Sequence, residues 1–105
     1  MDKSEAIKIA KRYIDSISNQ FQIESALLFG SFAKGTNHPD SDIDIAIVFR
    51  NVDDIIDLQI QLMQLRSDDD LLIEPHPFKI SDFQMSNPVV AEIMKYGIII
   101  QGHAA

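Results

Sequence analysis

Gly30-Ser31-Phe32-Ala33-Lys34-Gly35-Thr36-Asn37-His38-Pro39-Asp40-Ser41-Asp42-Ile43-Asp44 joins an apolar run to an alternating one, and it carries most of the chemical information in the chain. Gly30 directly follows the apolar run. A glycine there permits a backbone turn that residues with a Cβ resist, and it lets a ligand approach closely. Ser31 adds a hydroxyl and an amide. With the amides that follow at the start of a short helix they form a place for phosphate oxygens, because unpaired N–H groups and the helix dipole favour an anion. Gly35 ends that turn. At the far end Asp42 and Asp44, two apart at the entrance to a strand, are expected to project to the same side with their carboxylates a few ångströms apart. Two like charges so placed need a cation. Oxygen ligands favour Mg²⁺ or Mn²⁺, and two such ions about 3.5–4 Å apart clamp the attacking and leaving oxygens of an in-line phosphoryl displacement.

Two rival motifs fail on spacing. Gly30 and Gly35 have the separation of a Walker A loop, yet Thr36-Asn37 stands where Lys-Ser/Thr is required. Asp40, Asp42 and Asp44 are spaced like the first three ligands of an EF-hand. Ile45 then occupies the position that needs Gly, and Asn51 the one that needs Glu.

Outward from the motif, Ile23 to Phe29 reads as a buried strand that stops at Gly30, and Ile43 to Phe49 alternates large apolar residues with Asp44, Ala46 and Val48 as a half-buried strand does. The link between them is too brief for a standard crossover helix. Before the first strand, Ile7, Ala10, Ile14 and Ile17 recur at helical spacing within Ser4 to Ser18, behind a cap at Asp2 or Ser4. After the second, Asp53 to Arg66 carries Ile55, Leu58, Leu62 and Leu65 at helical spacing. Ile56, Ile60 and Met63 widen that stripe, so the helix is expected to be buried on more than one side. Leu71 to Glu74, closed by Pro75, reads as a short third strand, with Glu74 as a third carboxylate that ligates a second metal or accepts the proton of an attacking hydroxyl. Pro88 opens a helix that runs to Tyr96 and stops at Gly97, and Ile98 to Ile100 is a small apolar closing segment. The expected fold is α/β in the α+β sense, a small mixed sheet flanked by helices.

Without repeats or a Pro/Gly-rich linker, residues 1–105 read as one domain. A composition of 46% apolar and 24% charged residues suits a packed core. The charge of −7 argues against sequence-independent nucleic-acid binding, which draws on Lys and Arg, but suits a carboxylate site for a metal-held triphosphate. With no cysteine, and no apolar stretch suited to a signal peptide or membrane span, the expected location is cytoplasmic. Asp68-Asp69-Asp70 reads as a solvated loop. His38 and His76, beside prolines, read as surface residues outside the site, and His103 as tail.

Gly-Ser-x-Ala-x-Gly, five residues and then Ser-Asp-x-Asp resembles the signature of the DNA polymerase β-like nucleotidyltransferases. The short chain is similar to the minimal nucleotidyltransferases found as antitoxins (MNT) beside HEPN-domain toxins. The resemblance implies a mixed-sheet nucleotidyltransferase core and two Mg²⁺ ions with ATP as substrate. It also implies transfer of a nucleoside monophosphate to a hydroxyl, in the antitoxins a tyrosine of the toxin. Asp42, Asp44 and Glu74 would then be the catalytic carboxylates and metal ligands, with Gly30, Ser31, Lys34, Gly35 and Ser41 at the nucleotide. Lys34 stands where Arg is frequent, and Glu74 where Asp is. Larger relatives carry a substrate domain, so the acceptor is expected from a HEPN partner or across a homo-oligomer. A second reading is a binding module that neutralises a HEPN partner by occlusion.

Overall fold

The computed structural model describes residues 1–102, so His103 lies outside the described residues. At its centre β1 (Ile23–Phe29) and β2 (Ile43–Phe49) pair antiparallel, as their short link requires. That link contains a single helical turn, α2 (Ser31–Lys34). β3 (Ile73–Lys79) lies parallel to β2 on one flank, and β4 (Ile98–Gly102) antiparallel to β1 on the other, giving a mixed sheet of order β3-β2-β1-β4. Parallel neighbours need a crossover, and α3 (Ile55–Gln64) supplies it. α1 (Lys3–Ile17) precedes the sheet, and α4 (Pro88–Tyr96) lies between β3 and β4.

Capping explains where the helices begin. Asp2 accepts a hydrogen bond from the Glu5 amide, Asp54 from the Ile56 and Asp57 amides, and Asn87 from the Val89 amide. The expected fold class is the observed one. The third strand, however, begins at Ile73 and runs on through Pro75 and Pro77 to Lys79. Proline breaks a strand only where its missing N–H is needed. β3 is an edge strand, and the Ile43 N–H donates to the Leu72 carbonyl at 2.8 Å. Even-numbered residues of β3 therefore bond to β2, and both prolines turn toward the free edge.

Alternation divides the sheet into two faces. Ala26 and Leu28 of β1, Ile43, Ile45, Ile47 and Phe49 of β2, and Ile73 of β3 form the main core with α1, Phe32 of α2, and Leu58 and Leu62 of α3. On the opposite face Leu27, Ala46 and Ile93 of α4 make a smaller cluster. The buried Tyr13 hydroxyl donates to the Leu62 carbonyl at 2.6 Å, tying α1 to the end of α3, and burial pushes its pKa up. α3 buries only Leu58 and Leu62, whereas Ile56 is 71% exposed and Ile60 50%, so the expectation of burial on more than one side does not hold within this chain. Among the described residues no helix is long and apolar enough to cross a membrane.

The acidic run at residues 68–70 is not the solvated loop that its composition suggests. It forms a 3₁₀ turn in which Asp70 is buried, accepting hydrogen bonds from Arg12 Nη2 at 3.0 Å and Ser67 Oγ at 2.8 Å. Burial alone would raise the Asp70 pKa, but the Arg12 and Ser67 hydrogen bonds outweigh it and hold the carboxyl below its ordinary range. A depressed folded-state pKa adds stability that is present above the unfolded value, about 3.9, and is lost as pH falls through the folded value. Asp70→Asn is therefore expected to lower stability by about 1–3 kcal/mol at pH 7. The gap to the parent chain should narrow in acid below about pH 4, as thermal melts at both pH values would show.

Candidate active site

The ladder between β2 and β3 sets Asp44 directly opposite Glu74. Both strands have a period of two, so these side chains share the face opposite Ile43 and Ile45. His76, two residues beyond Glu74, is on the same face, and its Nε2 lies 3.1 Å from Asp44 Oδ1. The imidazole stands edge-on to the Phe29 ring, with centroids 5.0 Å apart. One ligand atom each from Asp44, Glu74 and His76 lies within 4.8 Å of the other two. Two carboxylates and an imidazole are donors of the kind that divalent cations take, so the residues present fit such an ion.

Gly30 closes the site from the end of β1. Its φ of 75° and ψ of −150° are a combination that side chains oppose. A Cβ there would lie inside van der Waals contact of the Asp44 carboxylate, 3.2 Å from its Cγ. The glycine thus makes the turn and leaves the space that Asp44 fills. Gly35 ends α2 at φ 77°, with its N–H donated to the Ser31 carbonyl.

The other expected site residues are placed differently. Asp42 is exposed just before β2, outside the cluster of Asp44, Glu74 and His76. It precedes the ladder that holds Asp44 in register opposite Glu74. Ser41 is 6% exposed, and its hydroxyl accepts from the His38 N–H at 2.9 Å, which pins the loop leading into β2. The Lys34 ammonium is paired with Glu92 of α4, a hydrogen bond that raises its pKa, and it lies 5.4 Å from the centre of the Tyr96 ring.

His76 is the residue that sequence reasoning missed. Ending the strand at Pro75 removed it from the face of Glu74. Carried past the proline, the alternation Glu74-Pro75-His76 would have found it. An apolar slot of about 330 Å³ adjoins the imidazole, lined also by Ile55, Ile56, Gln59, Pro77 and Phe78.

No curated protein matches the sequence. Among solved structures, a Sulfolobus solfataricus protein described as a nucleotidyltransferase is 20% identical, with a TM-score of 0.69 over 92% of this chain and 80% of its own. A chain of a toxin–antitoxin complex with AMP-PNP is also 20% identical, with a TM-score of 0.60 over 92% of this chain and 73% of its own. A third match, at 15% identity, is to a complex of tri-AMPylated Shewanella oneidensis HEPN toxin with MNT antitoxin, with a TM-score of 0.55 over 96% of this chain and 73% of its partner in the comparison. At these identities the likeness is one of fold. The profile of the family described as Polymerase beta, Nucleotidyltransferase matches residues 11–103, nearly the whole sequence, and the chain belongs to that family.

Proposed function

We propose that this chain transfers a nucleoside monophosphate, AMP from ATP, to a hydroxyl of a partner protein, with pyrophosphate as the leaving group. The observation that carries the reading is the pair Asp44 and Glu74, in register across β2 and β3 beside a glycine turn shaped around Asp44. In the balanced step the acceptor oxygen bonds to the α-phosphorus, the bond from that phosphorus to the β-bridging oxygen breaks, and the hydroxyl proton passes to a base. Asp44 and Glu74 would hold Mg²⁺, with Asp42 near enough along the chain to join when nucleotide is present. Bound there, the cation would offset the charge that develops on the phosphates.

The remaining roles belong to the turn. Ser31, Phe32 and Ala33 begin α2, where helix amides lack intrahelical acceptors, so their N–H groups and the Ser31 hydroxyl are suited to phosphate oxygens. Gly30 and Gly35 shape that turn, and Ser41 positions the loop behind Asp42. Lys34 reaches a phosphate only if its pair with Glu92 opens. Glu74 either completes the cation site or takes the acceptor's proton.

A HEPN-domain protein is the proposed acceptor. The fold likeness to chains of toxin–antitoxin complexes supports it, as does the exposed apolar side of α3 at Ile56 and Ile60, a surface suited to a partner. The test is intact-mass measurement of this chain with its HEPN partner after incubation with Mg²⁺ and each nucleoside triphosphate. A gain of one or more nucleoside monophosphates on the partner, absent with Asp42→Asn/Asp44→Asn, is the expected result. A stable complex without any mass gain would overturn transfer and leave neutralisation by occlusion.

A further inference from the structure

His76 is unexplained by a site of carboxylates alone. Its side chain is half-buried among Phe29, Asp44 and the β3 edge, and Nε2, rather than Nδ1, points at the Asp44 carboxylate. Two ligands in adjacent positions of a six-coordinate ion, each about 2.1 Å from it, are about 3.0 Å apart. The observed 3.1 Å between Nε2 and Oδ1 is that spacing, and Glu74 supplies an oxygen within 4.8 Å of both. A neutral imidazole carries its proton on either nitrogen, so the Nδ1–H tautomer leaves the Nε2 lone pair for a metal.

We propose that His76 is a direct ligand in this site through Nε2, and that it makes the site selective for a first-row transition ion such as Mn²⁺ over Mg²⁺. The inference rests on the reading of Asp44 and Glu74 as cation ligands and goes beyond it in naming a nitrogen donor. Mg²⁺ is a hard ion that takes oxygen, whereas imidazole raises affinity along the transition series. A site of carboxylates alone would discriminate less between the two ions. β3 provides the nitrogen donor at no cost to its pairing, because Pro75 and Pro77 occupy the outward positions and leave Glu74 and His76 on the strand's site face.

The experiment uses the full chain, stripped of metal and free of nucleotide, with Mn²⁺ as the probe. Pulsed electron paramagnetic resonance reads the coupling of bound Mn²⁺ to a directly coordinated ¹⁴N, and titration with Mg²⁺ in competition reads selectivity. The expected result is a ¹⁴N coupling in the parent chain that disappears in both His76→Ala and His76→Gln. Mn²⁺ affinity should fall about tenfold or more in each, and Mg²⁺ affinity should change much less. Gln is included because its amide N–H is able to donate to Asp44, which separates ligation from a hydrogen bond that merely orients the carboxylate. Bound Mn²⁺ without ¹⁴N coupling, with affinity retained in His76→Gln, would overturn the proposal and leave the carboxylate site intact. Absence of any Mn²⁺ binding in the parent chain, unaltered by Asp44→Asn, would overturn the cation site itself along with it.

Discussion

Asp44→Asn is expected to lower nucleotide transfer at least about 10³-fold while leaving the fold unharmed. The side chain is matched in size, and the Asn amide offers both an acceptor and a donor to His76 Nε2, so the contact is kept in either tautomer. What changes is charge. Asp44 faces Glu74 across the ladder, so losing one of two neighbouring negative charges relieves repulsion and is expected to hold or slightly raise the melting temperature. A fall in activity without a fall in stability separates a chemical role from a structural one. The measurement is the initial rate of label transfer from an α-labelled nucleoside triphosphate to the acceptor, beside a thermal melt of each variant. Transfer within tenfold of the parent rate would remove Asp44 from the chemistry and, with it, the reading of this face as the active site.

Gly30→Ala is expected to damage both properties, for a reason specific to this turn. The backbone at φ 75° and ψ −150° lies in a region kept almost wholly by glycine, and forcing alanine into it costs about 1–3 kcal/mol. For a chain of this length that is a fall of about 4–20 °C in melting temperature. The new methyl group also meets the Asp44 carboxylate, so the carboxylate must move from its position opposite Glu74. Transfer should fall about 10²-fold or more, since displacement by an ångström is enough to lose that much. A double-mutant cycle with Asp44→Ala divides the two causes. If part of the damage comes from the collision, the stability losses of the single variants will sum to more than the loss in the double variant. Strict additivity would assign the whole effect to the backbone angle.

Much of the fold was legible because the deciding forces are local. The alternation of Ile43, Ile45 and Ile47 with Asp44 and Ala46 is a property of neighbouring residues, and β2 spans the expected Ile43–Phe49. Asp2, Asp54 and Asn87 cap helices with their own side chains, Pro88 opens α4 with its fixed backbone angle, and Gly97 closes it where a Cβ would collide with the Ile93 carbonyl. Gly30 was recognisable as the turn from its place behind an apolar run. The short link after it excluded a crossover, and an antiparallel pair followed.

The site was legible only in part. Asp44 and Glu74 face each other across the ladder with His76 in the same group and Asp42 outside it, since spacing along one strand says nothing about which carboxylate a neighbouring strand will face. His76 was hidden by the rule that proline ends a strand, which fails when the N–H in question would have pointed away from the neighbouring strand, at the free edge of the sheet. Asp70 looked like one of three solvated acids until Arg12, fifty-eight residues away in sequence, closed over it.

The sequence by itself determined the periods, caps, turns and hence the elements, because each depends on forces that act within a few residues. The tertiary structure alone decided that β3 lies parallel to β2 with Glu74 opposite Asp44, that its free edge accommodates two prolines, and that α3 leaves Ile56 and Ile60 exposed. Those outcomes follow from burying Ile73, Leu58 and Leu62 together in the main core. Strand partner and register are set by that burial, which couples residues distant in the chain and leaves no mark in the spacing of any one segment.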